Sequence, residues 1–272
     1  TCPADKGRAG GTCVDACAAA SVSGGSVGCE FHVPTPRTYG PTLQPCHAAF
    51  LANTWGKPAK IVVTRGAATY DATKFGRIAE KGKTPDQWAA VPASGIPTGE
   101  VGVLFLSSDP NSVFVENGYP LTCPAPTATG AATELPGTGK ASAFRIATDV
   151  PVSAYDIFPF GGAHSHFPSA ELLFPRATFG TSYVVLATPK GTSATPGPLF
   201  GQVLAVEDGT QIDILPSVNL PAGGGLPAMA KGVKATFTLD AGQYAQWELP
   251  SSSLDMSGTI LACFVVTPDR LP

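Results

Sequence analysis

A chain of 272 residues is long enough to bury one large core or two of ordinary size. Only 14% of it is charged and the net charge is −3, with no run of Lys or Arg, so nucleic acid and anionic lipid are set aside as partners. The 31 Gly and 27 Pro are about a fifth of the residues against a usual share of roughly 12%, and no stretch nears the about 18 consecutive apolar residues of a membrane span, which leaves a chain of strands and turns.

The first residues, TCPADKGRAGG, lack the charged start and apolar core of a signal peptide, so an exported chain has already lost its signal. Residues 1–28 read as an irregular, Cys-rich lead-in. Cys2, Cys13, Cys17 and Cys29 crowd a polar Gly/Ala/Ser-rich stretch with no core of its own, where disulfides are useful and where they imply an oxidising, extracellular or cell-surface location. A four-thiolate zinc site is the alternative, but the spacing contains no CxxC knuckle. Seven cysteines leave one over, Cys263, whose partner is expected beyond Pro272.

From residue 29 onward strand signals dominate. AKIVVTR (59–65), EVGVLFLSS (100–108), SAFRIAT (142–148), VPVSAYDIF (150–158), TSYVVLAT (181–188), GQVLAVE (201–207), TQIDILP (210–216), KATFTL (234–239), QYAQWELP (243–250) and TILACFVV (259–266) are short, β-branched or aromatic, and bounded by Gly, Pro, Asp or Ser. One helix is predicted, at Thr84–Val91, with Thr84 as N-cap, Pro85 at the first helical position and Asp86 in the first turn.

A weak internal repeat organises these strands. LDAGQYAQWEL (239–249) aligns on IPTGEVGVLFL (96–106) with Gly242 on Gly99, LAVEDGTQIDI (204–214) aligns on LANTWGKPAKIVV (51–63), and SGTILA (257–262) on SAFRIA (142–147). The expected fold is therefore all-β: two related antiparallel β-sandwich units in tandem behind a disulfide-stapled segment. The first unit spans 29–160 with an insertion at about 109–140, and the second spans 161–272. The second copy stops where the first continues into VSAYDIF, so its last strand is expected from further chain or from a neighbour, as in donor-strand pairing.

Taken together, GCEF (28–31), HAAFLANTWGKPAKIVV (47–63), FRIATDVPVSAYDIFPF (144–160), SAELLFPRATFGTSYVV (169–185), VEDGTQIDILP (206–216), LDAGQYAQWE (239–248) and DMSGTILA (255–262) resemble, in order, the IgGFc-binding protein N-terminal domain family. The resemblance implies an extracellular β-rich recognition or adhesion domain of secreted or surface proteins. The family pattern usually runs on past DMSGTILA into another strand and a cysteine-bearing tail.

Candidate chemistry is sparse. His164 and His166, one residue apart, would share a face on an extended chain and could take a metal with Asp156 or Glu171, but Gly161-Gly162 and Pro168 mark a loop. Metal ligation and a solvated loop are both open. No Gly-x-Ser-x-Gly or HExxH motif occurs. Glu207, Asp208 and Asp213 offer carboxylates, yet Asp208-Gly209 and Asp255 sit where turns want them. SSDPNS (107–112) raises calcium as a possible cofactor against a simple turn at Asp109-Pro110. Trp55 and Trp247 occupy or adjoin matching repeat elements and are expected in the cores, while Trp88 has no such place. Cys123 in the insertion is expected to pair with Cys46 and pin that loop, and loops on a rigid sandwich are where recognition sits. The reading is a non-catalytic module binding an extracellular protein or glycan. Its rivals are a filament or layer subunit, contacting copies of itself and completed by a donated strand, and a polysaccharide-active enzyme.

Overall fold

The computed structural model describes residues 2–38, 42–161, 169–186, 199–251 and 253–265. It is predominantly antiparallel β-structure. The chain divides into two compact units, Thr1–Thr133 with Phe144–Phe179, and Glu134–Ala143 with Gly180–Pro272.

The first unit opens on a hairpin of β1 (Lys6–Ala9) and β2 (Thr12–Asp15), followed by helix α1 (Ala16–Ser23). Local order here is a correction to the irregular lead-in read from sequence. Asp15 caps α1, its Oδ1 accepting the N–H groups of Cys17 at 2.9 Å and Ala18 at 3.1 Å. Disulfides Cys2–Cys13 and Cys17–Cys29 tie the hairpin together and the helix to the sheet.

That sheet contains β3 (Val27–Val33), β4 (His47–Ala52), β5 (Ile61–Arg65), β6 (Ala68–Tyr70), β7 (Gly76–Ile78), β8 (Val101–Ser107), β10 (Phe144–Phe158) and β11 (Ser169–Leu173), with the short helix α2 (Ala72–Phe75) leading into β7. The predicted helix at Thr84–Val91 shrinks to a 3-10 turn at Pro85–Gln87. Its apolar residues are too few to repeat at helical spacing, so only the start signal operates.

The two strands read at 142–148 and 150–158 are one fifteen-residue strand, β10. Its first half lies between β3 and β5, and its second half between β4 and β11. Pro151 falls at the register shift between Ala147 and Val152, where a missing N–H is tolerated and the strand can bend from one sheet half to the other. The halves enclose one core, built from Phe31 and Val33, Leu51, Val63, Leu104 and Leu106, Phe144 and Ile146, and Val152 and Ala154. A smaller cluster outside it, around Phe50, Phe105 and Phe160, sits beneath the Cys46–Cys123 disulfide.

The second unit is a sandwich of two sheets. One contains β12 (Ser182–Val184), β17 (Ile260–Val265), β14 (Thr210–Leu215) and β15 (Ala235–Leu239), and the other β13 (Phe200–Leu204), β16 (Gln243–Glu248) and β9 (Gly139–Ser142). Ile212, Ile214, Phe237 and Leu261 of the first sheet meet Ala245 and Trp247 of the second in one core. Trp247 is fully buried, edge-on to Phe237 at 5.5 Å.

The repeat extends to pairings and register. β3–β10, β5–β10, β5–β6 and β4–β8 are matched, in the same chain order, by β12–β17, β14–β17, β14–β15 and β13–β16. The core row Phe31–Ile146–Val63 corresponds to Tyr183–Leu261–Ile214. Gly99 donates its N–H to Asn53 O at 2.7 Å, and Gly242 donates to Ala205 O at 2.8 Å. Both glycines have positive φ, 82° and 75°.

These bonds put Ala205 on Asn53 and Val203 on Leu51, whereas the matched Leu-Ala letters put Leu204 on Leu51. The sequence alignment of that block is one residue out, and a one-residue slip turns every side chain to the other face of the sheet. The division of the chain also differs from breaks at 28 and 160. β11 pairs with β10 and so keeps the chain through Phe179 in the first unit, while β9, from the end of the insertion, pairs with β16 of the second.

Candidate functional site

Asp156 and Glu171, two of the polar residues flagged in the sequence, stand directly opposite each other on β10 and β11. The third member of their group is His47, the first residue of β4. The imidazole N–H at Nε2 donates to Asp156 Oδ2 over 3.0 Å, the ring is fully buried, and Phe158 packs edge-on to it at 5.6 Å. His47 Nδ1 has no hydrogen-bond partner among the described residues. Although Glu171 is exposed as a residue, partial desolvation of its carboxyl group, and secondly the charge of Asp156, raise its pKa, with His47 pulling the other way.

β4 and β8 place His47 opposite Ser107, which belongs to a second buried network. Gln44 Nε2 donates to Ser107 Oγ over 2.8 Å, Ser107 Oγ lies 2.7 Å from Thr133 Oγ1, and Thr133 Oγ1 lies 2.8 Å from Thr35 Oγ1. Ser, His and Asp thus share one end of the unit without forming a nucleophilic relay. The Ser107 hydroxyl is engaged by Gln44 and Thr133, His47 spends Nε2 on Asp156, and all three residues are closed off from solvent. With the Ser107 hydroxyl and the Asp156 carboxylate engaged in this way, the polar layer fixes strand register more than it does chemistry.

His164 and His166 lie outside the described residues. Among the described residues no group of three or more His, Cys, Asp and Glu side chains has the arrangement to hold a metal ion. Asp109 serves a turn, its Oδ1 accepting the Asn111 N–H at 2.8 Å. Asp208 and Asp240 clasp two turns, accepting from Ala241 N–H at 3.0 Å and Gly209 N–H at 3.2 Å, and Asp255 accepts from Ser257 N–H at 2.8 Å. Lys234 and Thr236 donate to Asp213, and the Lys234 contact at 2.6 Å is the main cause of its lowered pKa.

A charged cluster escaped the sequence reading. Glu30 on β3 receives His32 at 3.2 Å and Arg145 at 2.7 Å, with Arg176 at 3.7 Å. The His32 hydrogen bond, and then Arg145 against the cost of burial, lower its pKa to about 2. Arg145 answers from 115 positions away. Glu30 and His32 show only period-two spacing in the sequence, which is a strand signal and names no partner.

The three disulfides are Cys2–Cys13, Cys17–Cys29 and Cys46–Cys123, and Cys263 is free and partly buried, its thiol pKa raised by burial. Trp247 is core, Trp55 packs partly against the first core while donating to Ala4 O at 2.6 Å, and Trp88 leans edge-on to Phe160 at 6.5 Å.

What remains open to a partner is apolar surface held on rigid backbone. Between Asp109 and the disulfide at Cys123 the chain makes a small hairpin, closed by Leu121 N–H to Ser112 O at 2.9 Å and Phe114 N–H to Tyr119 O at 2.8 Å. Phe114 and Leu121 anchor it inward, while Val113, Val115 and Tyr119 face solvent. On the outer face of the same unit, cross-strand register lines up Phe50, Tyr155 and Leu172, with Tyr155 and Leu172 exposed and Phe174 exposed just beyond. Contiguous exposed aromatic and aliphatic side chains are what a recognition surface needs.

Residues 169–263 match the family model described as IgGFc binding protein. The match covers the end of the first unit and most of the second, and it is the family the sequence resembles. No curated protein and no solved structure matches the chain. Among the described residues no helix is long and apolar enough to cross a membrane.

Proposed function

We propose that this protein is a secreted or surface-displayed binding module that recognises an extracellular protein or glycan through exposed side chains on a disulfide-braced β-scaffold, without catalysis. The match of residues 169–263 to a family described as a binding protein carries this reading. Three disulfides, which persist in oxidising compartments, support the location. The polar clusters support the absence of chemistry: the Ser107 hydroxyl, His47 Nε2 and the Asp156 carboxylate are engaged by partners inside the unit.

The test is surface plasmon resonance of the full chain against immobilised immunoglobulin Fc, mucin glycoproteins and a defined glycan array. Saturable binding to at least one probe is expected, weakened by Val115→Asp with Tyr119→Ser or by Tyr155→Ser with Phe174→Ser. No binding at ligand concentrations approaching about 1 mM, or release of reducing ends from a polysaccharide probe, overturns it.

A further inference from the structure

We infer that the outer edge of β11 (Ser169–Leu173) pairs antiparallel with the same edge of a second copy of this chain, about a two-fold axis at Leu172. The inference goes beyond the binding reading and does not depend on it. It starts from how other strand edges are closed. The free side of β7 is taken by the chain at 89–91, with Ile78 N–H on Ala89 O at 2.8 Å and Val91 N–H on Gly76 O at 3.1 Å. On β15, Lys140 Nζ donates to Thr238 O at 2.9 Å. β11 carries no lysine, no proline and no bulge, the usual guards of an exposed edge.

Backbone alternation fixes which groups that edge offers. Asn53 donates its N–H to Glu100 O at 3.0 Å and accepts from Gly99 N–H at 2.7 Å, so the odd-numbered residues of β4 serve β8. Ala48, Phe50 and Ala52 turn instead to Ile157, Tyr155 and Ser153 of β10. Ala154, Asp156 and Phe158 are left for Leu173, Glu171 and Ser169 of β11. Ala170, Leu172 and Phe174 therefore direct their N–H and C=O groups away from β10, and among the described residues those groups meet no partner.

Register selects a second copy as the occupant. Any extended strand offers backbone groups, but this edge also matches its own side chains, as an isologous contact requires. With Leu172 opposite Leu172 of the copy, Ala170 lies opposite Phe174, small against large, and all three outward residues join the ladder. Glu171 then stands opposite Leu173, whereas an axis at Glu171 would set two carboxylates face to face. On the outer face the row Phe50–Tyr155–Leu172 runs on into Leu172, Tyr155 and Phe50 of the copy. Pairing through the edge leaves the exposed Tyr155 and Phe174 on an open surface and makes one long apolar row of two short ones.

Sedimentation velocity of the full chain from about 1 to about 300 μM should show a monomer–dimer equilibrium, in the weak range expected of a short edge contact. Leu172→Lys and Leu172→Asp should each leave the chain monomeric, because like charges meet at the axis. An equimolar mixture of the two should restore the dimer, since the axis sets residue 172 against itself. Hydrogen exchange on the unaltered chain reads the same contact without a substitution: the amides of Ala170, Leu172 and Phe174 should slow as concentration rises, while those of Glu171 and Leu173 stay as they are. A monomer throughout the range, a dimer indifferent to both Leu172 variants, or a mixture that stays monomeric overturns the proposal. Equal protection of those three amides at every concentration overturns it too, because the edge is then closed within the chain.

Discussion

At the scale of single residues, Glu30 shows how charge can help hold a strand in place. Its folded pKa of about 2 lies below the ordinary 4.5, so its contribution to stability is complete above about 4.5 and is lost as pH falls through that window toward 2. Glu30→Gln should cost about 1 kcal/mol at pH 7. Urea denaturation between pH 2 and 6 should show a shallower acid slope for the variant than for the parent; parallel curves would mean that the ion pair is inert. Glu171 works in the opposite direction. Its pKa is raised, so ionising it costs stability as pH climbs above the ordinary carboxylate range. Glu171→Gln should raise stability at pH 7 by up to about 0.5 kcal/mol and leave it unchanged at pH 3.

At the scale of elements, turns decide more than strands do. Gly95 sits at φ 99°, and a Cβ there would stand 2.1 Å from Ala59 O, where Ala59 and Ile96 exchange backbone hydrogen bonds. Gly95→Ala should cost on the order of 3 kcal/mol, read as a lowered midpoint in guanidinium with an unchanged slope. The strands were legible in sequence because β-branched runs bounded by Gly and Pro leave few alternatives, and the Gly99/Gly242 match located a repeated turn. Three things were not legible. Asp149, just before Val150-Pro151, reads as a gap between two strands, although a bulge there carries one strand through. The Leu-Ala identity drew an alignment one residue away from the register that backbone hydrogen bonds impose. His47 finds Asp156 across 109 positions, and nothing local encodes that distance.

At the scale of the molecule, covalent bracing is uneven: all three disulfides lie in the first unit, and the second holds only the free Cys263. The Cys46–Cys123 link closes a loop of 77 residues, for which chain entropy gives about 4.5 kcal/mol, against about 3 kcal/mol for the 11-residue loop of Cys2–Cys13. Under reductant, the calorimetric transition of the first unit should fall by many degrees, while the unfolding reported by the buried Trp247 stays in place. A common shift of both would contradict this.

The position of β9 has a consequence for anyone who cuts the chain. Gln246 donates to Leu135 O and Gly137 O, and Glu248 N–H to Thr138 Oγ1, so the edge of the second sandwich is closed by residues synthesised before the last strand of the first. The stretch that matches the family, 169–263, therefore lacks a strand of the sandwich it mostly covers: expressed alone, it should come off the ribosome with an unsealed sheet and a tendency to aggregate. Carrying residues 134–143 with it, by fusion or circular permutation, should restore a monomeric, cooperatively melting sandwich.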